Sequence, residues 1–169
     1  MKNPIVLVCL IPAVCAAEEI SPRPFNVLFI AVDAGGVRYL SGLALLEYLD
    51  LSYTNVSDRD LAELASLEQL RELNLTGTKV GGDLGYLAGL KHLESLDLYD
   101  TRITGADLLS LVGMKKLRKL DLGNTNVGKD GAANLRQMRQ LQWLRVSNFG
   151  DGELRALQDA LPDCVIEKH

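Results

Sequence analysis

Few side chains in this chain could do chemistry. Asp33 closes the apolar run RPFNVLFIAVDAGG, residues 23–36, where a carboxylate at a strand end could sit on a metal ion. Asp97, Asp100 and Asp121 could supply oxygen ligands to calcium. The two histidines suit neither a catalytic triad nor a metal cluster: His169 is the last residue, and His92 falls in a turn before an expected strand. No G-x-S-x-G, phosphate-binding P-loop or G-x-G-x-x-G occurs. The expectation is a chain that is not an enzyme and that carries no cofactor and no resident metal.

The elements that must position any site come next. The 169 residues suffice for one domain with a sizeable core, and 47% apolar with 24% charged residues is ordinary for a globular chain. A net charge of −4 argues against nucleic-acid binding, which needs a basic face. Residues 1–17 read as a secretory signal peptide: Lys2, then an apolar stretch from Ile5 to Ala17 too short to span a bilayer comfortably, with cleavage near Ala16 or Ala17. That places the protein outside the cytoplasm, secreted or in the periplasm or cell envelope, with no transmembrane segment in the mature chain. Cleavage removes Cys9 and Cys15, so the remaining Cys164 has no intramolecular disulfide partner and reads as a buried, inert thiol.

Self-similarity dominates the rest. LEYLDLSYTNV from Leu46, LRELNLTGTKV from Leu70, LESLDLYDTRI from Leu93 and LRKLDLGNTNV from Leu117 share L-x-x-L-x-L-x-x-T-x-[VI]. LQWLRVSNFGD from Leu141 keeps the opening and puts Phe149 at the threonine position. In each unit the last two leucines are two apart and share one face of a strand. The second half changes period: Leu61, Leu64, Leu67; Leu84, Leu87, Leu90; Leu108, Leu111, Met114; and Leu135, Met138 are three apart, as on a short helix or 3₁₀ turn. Ser57 with Asp60, and Thr104 with Asp107, fit capping-box-like helix starts. One unit cannot cover its apolar side, whereas stacked units bury a continuous core. Strands stack about 4.8 Å apart and helices are about 10 Å wide, so the stack curves with its parallel sheet inside. Thr54, Thr78, Thr101 and Thr125 point inward, where their hydroxyls can pair with backbone groups left unmatched by the turn.

This pattern resembles the leucine-rich repeat family over Leu46 to Leu161, and the period with its Thr-x-Val/Ile ending is similar to the repeats of exported bacterial proteins. The resemblance implies an α/β solenoid of about six units: a curved parallel sheet on the concave side and short helices on the convex side. Residues 18–45 form an N-terminal cap and atypical first repeat, 46–164 the repeats, and 165–169 a closing half-strand and tail. By spacing, Val165 corresponds to Leu141.

Within the cap, Val37, Leu40 and Leu43 fall where Leu84, Leu87 and Leu90 fall in a later unit, and Phe25, Leu28 and Ile30 repeat the leucine spacing of a strand. The segment 23–34 also resembles the first strand of sulfatases, in which paired acids hold calcium. Here Phe25 is inserted, Ala34 replaces the second acid and the sulfatase nucleophile motif is absent. The alternatives are therefore a remnant or fusion fragment of a sulfatase-like enzyme, or a structural cell-envelope repeat protein.

The open face of the sheet is the remaining candidate. Its outward positions carry Tyr48, Asp50, Glu72, Asn74, Asp97, Tyr99, Lys119, Asp121, Trp143 and Arg145. Neighbouring aspartates at strand spacing repel by about 1 kcal/mol in water, which Lys119 and Arg145 offset in part. Aromatics flanked by charge are typical binding anchors. The expected function is a non-catalytic, exported protein–protein interaction module whose concave sheet binds a protein or peptide, with a basic one suited to the acids.

Overall fold

The computed structural model describes residues 36–169, together with the backbone of two short strands, β1 (Val6–Leu7) and β2 (Val27–Phe29). Asp33 and most of the expected signal peptide lie outside the described residues. The other strands are β3 (Tyr48–Asp50), β4 (Glu72–Asn74), β5 (Ser95–Asp97), β6 (Lys119–Leu122), β7 (Trp143–Val146) and β8 (Val165–Lys168). All pair parallel in chain order, forming an eight-stranded sheet among the described residues. The chain is an α/β solenoid.

The register is one to one. Leu49, Leu73, Leu96, Leu120 and Leu144 face one another along the inner row, and Leu28 of β2 pairs with Leu49. The atypical first unit thus continues the same ladder. Its second half is a 3₁₀ turn, Val37–Leu40, with Val37 and Leu40 buried. At the other end the register departs from simple spacing. Val165 pairs with Trp143, not Leu141, and Ile166 continues the leucine row. The closing unit is shorter, with buried Cys164 packed in the core just ahead of the strand.

Helical segments return the chain along the convex side. They are 3₁₀ turns at Leu84–Gly89 and Asp107–Leu111, and the helices α1 (Asp58–Leu64), α2 (Ala132–Leu135) and α3 (Asp151–Ala160). The three-residue spacing of the leucines suits 3₁₀ geometry. Asp60 Oδ2 accepts from both the Ser57 amide and hydroxyl at 2.8 Å. Asp107 Oδ2 braces Thr104 in the same way, at 2.7 and 2.8 Å.

The core is a column of leucines from every unit, closed by Phe149, Leu157 and Leu161 in the last. Each inward threonine donates to the carbonyl three residues back: Thr54 to Leu51, Thr78 to Leu75, Thr101 to Leu98 and Thr125 to Leu122, at 2.6–2.7 Å. No buried side-chain polar atom lacks a partner among the described residues, as a dry interior requires.

Strands β3 to β7 each give way to one residue in the left-handed region: Tyr53 (φ 55°), Gly77 (64°), Asp100 (53°), Asn124 (54°) and Asn148 (61°). Gly, Asn and Asp tolerate this conformation; a bulky tyrosine does so at a cost. Tyr53 is also 77% exposed, and its ring lies where a side chain on Gly77 would stand, with Cδ1 2.7 Å from the position of a Cβ there.

Candidate functional site: the concave sheet

Register sorts the outward side chains into rows. Tyr48, Glu72, Ser95, Lys119, Trp143 and Val165 form the first row; Asp50, Asn74, Asp97, Asp121, Arg145 and Glu167 form the second. Tyr99 lies two residues beyond Asp97. The ten residues expected from sequence therefore share one face, in the expected order.

The acid row has a structural origin. Asp50, Asn74, Asp97 and Asp121 each use Oδ1 to accept the amide of the residue two further on: Ser52, Thr76, Tyr99 and Gly123, at 2.8–2.9 Å. An Asp or Asn side chain satisfies a backbone donor where the chain bends out of the strand. The residue type at this position is thus explained by local backbone chemistry, and any specificity must come from charge and from the positions around it.

The two halves of the face differ. On the C-terminal half the charges neutralise one another. Arg145 Nη1 binds Asp121 Oδ2 at 2.8 Å and Nη2 lies 3.4 Å from Glu167 Oε2. Trp143 Nε1 donates to Glu167 at 3.1 Å, and its ring is flanked by Lys119 and Arg145, each 5.0 Å from the centroid. Tyr99 leans over Gly123, where a Cβ would meet its ring at 2.7 Å. Its hydroxyl lies 3.0 Å from His169 Nε2. Asp121 is accordingly buried, at 4% exposure, and is not a solvated groove acid. Burial first, and then Asp97, raises its pKa, against the Gly123 amide, Arg145 and Lys119.

On the N-terminal half, Asp50, Glu72 and Asp97 have no ion pair among the described residues, and Asp97 also accepts from Thr76 Oγ1 at 2.9 Å. Burial, then the charges of Asp50, Glu72 and Asp97, push the Tyr48 hydroxyl above its usual pKa. This half is an acidic surface with a tyrosine in it. No trio of His, Cys, Asp or Glu converges as a metal site among the described residues; Asp100, a calcium candidate from sequence, instead accepts from Asn124 Nδ2 at 2.7 Å.

Sequence reasoning missed Glu167, His169 and Tyr53. The alternation Val165, Glu167, His169 repeats that of Trp143, Arg145, Ser147 once the shorter closing unit is recognised. Tyr53 is conspicuous only beside Gly77, Asp100, Asn124 and Asn148.

A coil of strand, left-handed exit, inward threonine and short helix, stacked in register, is a leucine-rich repeat. A family model described as "Leucine Rich repeats (2 copies)" matches residues 91–136, and one described as "Leucine Rich repeat" matches residues 43–65. The chain is similar to leucine-rich repeat proteins in these two segments and has the fold of a leucine-rich repeat solenoid. Among solved structures it is similar to internalin C2 from Listeria monocytogenes, with 26% identity and a TM-score of 0.65 over 82% of this chain and 56% of that one. A leucine-rich repeat protein from Leptospira interrogans matches with 26% identity and a TM-score of 0.64, over 77% of this chain and 33% of that one. A second Listeria monocytogenes internalin, InlF, shares the fold at 18% identity and a TM-score of 0.50, over 85% of this chain and 55% of that one. The chain thus spans about half or less of these proteins. No curated protein matches it.

Proposed function

We propose that the chain is an exported, non-catalytic module that binds a protein or peptide through its concave sheet. The observation that carries this reading is the unbroken ladder of outward side chains, acidic and without ion pairs at Asp50, Glu72 and Asp97, and aromatic at Tyr48, Tyr99 and Trp143. The N-terminal half takes the cationic part of the partner. The Trp143 and Lys119 end takes its apolar part, since the Trp143 ring already holds its cations. Export rests on the N-terminal residues and on the bacterial neighbours; cleavage at Ala16 or Ala17 would remove β1 and leave β2 as the sheet edge. N-terminal sequencing of protein recovered outside the cytoplasm tests this, and an intact Met1 there would refute it.

For binding, peptides are selected from a displayed random library and measured against two variants. Asp50→Asn with Asp97→Asn keeps the Oδ1 acceptors and removes the charges, so the fold holds while lysine- and arginine-rich peptides lose at least about tenfold in affinity. A convex-side variant, Leu109→Ser, retains binding. Selected peptides that bind all three proteins equally would rule out the concave sheet. A sulfate-ester assay with added calcium gives no turnover above background; turnover would restore the sulfatase-like reading.

A further inference from the structure

The turns leading into the strands form one edge of the solenoid, away from the concave face. From the pairing of Ser95, Lys119 and Trp143, the positions four residues earlier hold Lys91, Lys115 and Arg139 in successive units, with His92 and Lys116 in the next column. Lys91, Lys115, Lys116 and Arg139 are exposed, and none forms an ion pair among the described residues. Two acids adjoin the column: Glu68, exposed, holds the same position one unit before Lys91 and marks where the cations begin, and Glu94 is engaged by Arg71 at 2.6 Å. Lys116 Nζ lies 3.4 Å from His92 Nδ1, a neighbour that brings no negative charge. In a chain with net charge −4, the column from Lys91 to Arg139 is a strip of cations without ion pairs, bounded by Glu68 at its N-terminal end.

The strip is held rigidly. Arg118 Nη1 donates to the carbonyls of Lys115 and Gln140 at 2.9 and 3.2 Å, and Gln140 Nε2 donates to the Met114 carbonyl at 3.0 Å. Between Lys91 and Lys115 lies a shallow depression of about 150 Å³, lined by Ala88, Leu90, Leu93, Gly113 and Met114. Apolar and small groups therefore alternate with ammonium groups.

We propose that this edge is a second docking surface, for an acidic polypeptide segment in extended conformation. Its carboxylates pair with Lys91, Lys115, Lys116 and Arg139, and an intervening apolar side chain enters the depression. In an extended chain alternate side chains share a side at about 7 Å intervals, about 2 Å more per step than the strand repeat, a difference that the flexible four-carbon lysine stems span. Lysine is a compact point charge that serves single carboxylates. A nucleic acid fits less well, because no Phe, Tyr or Trp stands in 88–94, 112–118 or 136–142 to stack a base. A phosphate chain has no group for the apolar depression.

The probe is a dye-labelled peptide in which glutamate alternates with leucine and serine, followed by fluorescence anisotropy. The wild type binds it, more weakly as salt rises. Replacing Lys91, Lys115 and Lys116 together by glutamine lowers affinity at least about tenfold, whereas Lys79→Gln, Arg102→Gln and Lys129→Gln together, an equal charge change elsewhere, hold it within about twofold. Substituting serine for leucine in the probe weakens binding to the wild type and to the control variant alike. The proposal is overturned if both triple variants lose affinity equally, if the leucines are dispensable, or if inorganic polyphosphate binds where the peptide does not. Asp50→Asn with Asp97→Asn leaves this binding unchanged, which separates the edge from the concave face; loss in that variant also overturns the proposal.

Discussion

Replacing Thr125 by valine tests how the turns are held. Thr125 is 2% exposed, and its hydroxyl donates to the Leu122 carbonyl at 2.6 Å. Valine has nearly the same shape, so the exchange removes a donor without opening a cavity. A hydrogen bond contributes about 1 kcal/mol net, and a buried group deprived of its partner costs about 1–3 kcal/mol. The added buried methyl returns about 0.8 kcal/mol. The expected loss is therefore about 1–2 kcal/mol. The matched comparison is Thr54→Val: its hydroxyl makes the same bond to Leu51 at 2.6 Å but is only half-buried, so water can replace it. That variant should lose less than about 0.5 kcal/mol. Urea unfolding, read as a shift in midpoint at constant slope, measures both. If Thr125→Val stays within about 0.3 kcal/mol of the wild type, or if Thr54→Val costs as much, the threonine column is not what satisfies the turn carbonyls.

The left-handed exits give a second expectation: Tyr53→Asn stabilises by about 0.5–1 kcal/mol, and Gly77→Ala costs less in that variant than in the wild type because the ring it would strike is gone. Asp121→Asn reports on pH. Burial raises the Asp121 pKa above 3.8, so folding favours its protonated form and its ionisation at neutral pH costs stability. As pH falls through the raised pKa the wild type gains relative to the variant, levelling off below 3.8; a difference independent of pH, or of opposite sign, contradicts this. Burial pushes the Cys164 thiol up to about 11, so iodoacetamide at neutral pH modifies it only after unfolding, and mass spectrometry of folded and urea-treated protein distinguishes the two.

Leucine spacing was enough to place the strands, because a two-residue alternation followed by a three-residue one admits a single stacking order. Thr78, Thr101 and Thr125 could be assigned inward for the same reason, and the Ser57–Asp60 and Thr104–Asp107 braces from their spacing. The site was less legible. Asp50, Asp97 and Asp121 looked like equal members of a solvated column, but their common bond to the amide two residues on depends on how the backbone leaves the strand. The burial of Asp121 depends on Tyr99 and Arg145 converging over Gly123. Val165 was misaligned because the closing unit is shorter than its predecessors, and with it Glu167 and His169 were missed.

Pairing without sideways offset has a consequence for how such a surface can change. Strand by strand, it is a lattice of columns crossed by uninterrupted rows. Duplicating or deleting a whole coil, such as 93–116, inserts or removes one column and leaves the others aligned. The reach of the protein can thus be reset in steps of about 4.8 Å without redesigning its interior. A slip of one residue within a coil would instead turn leucines out and acids in. Length is the cheap variable in this architecture, and phase is the protected one.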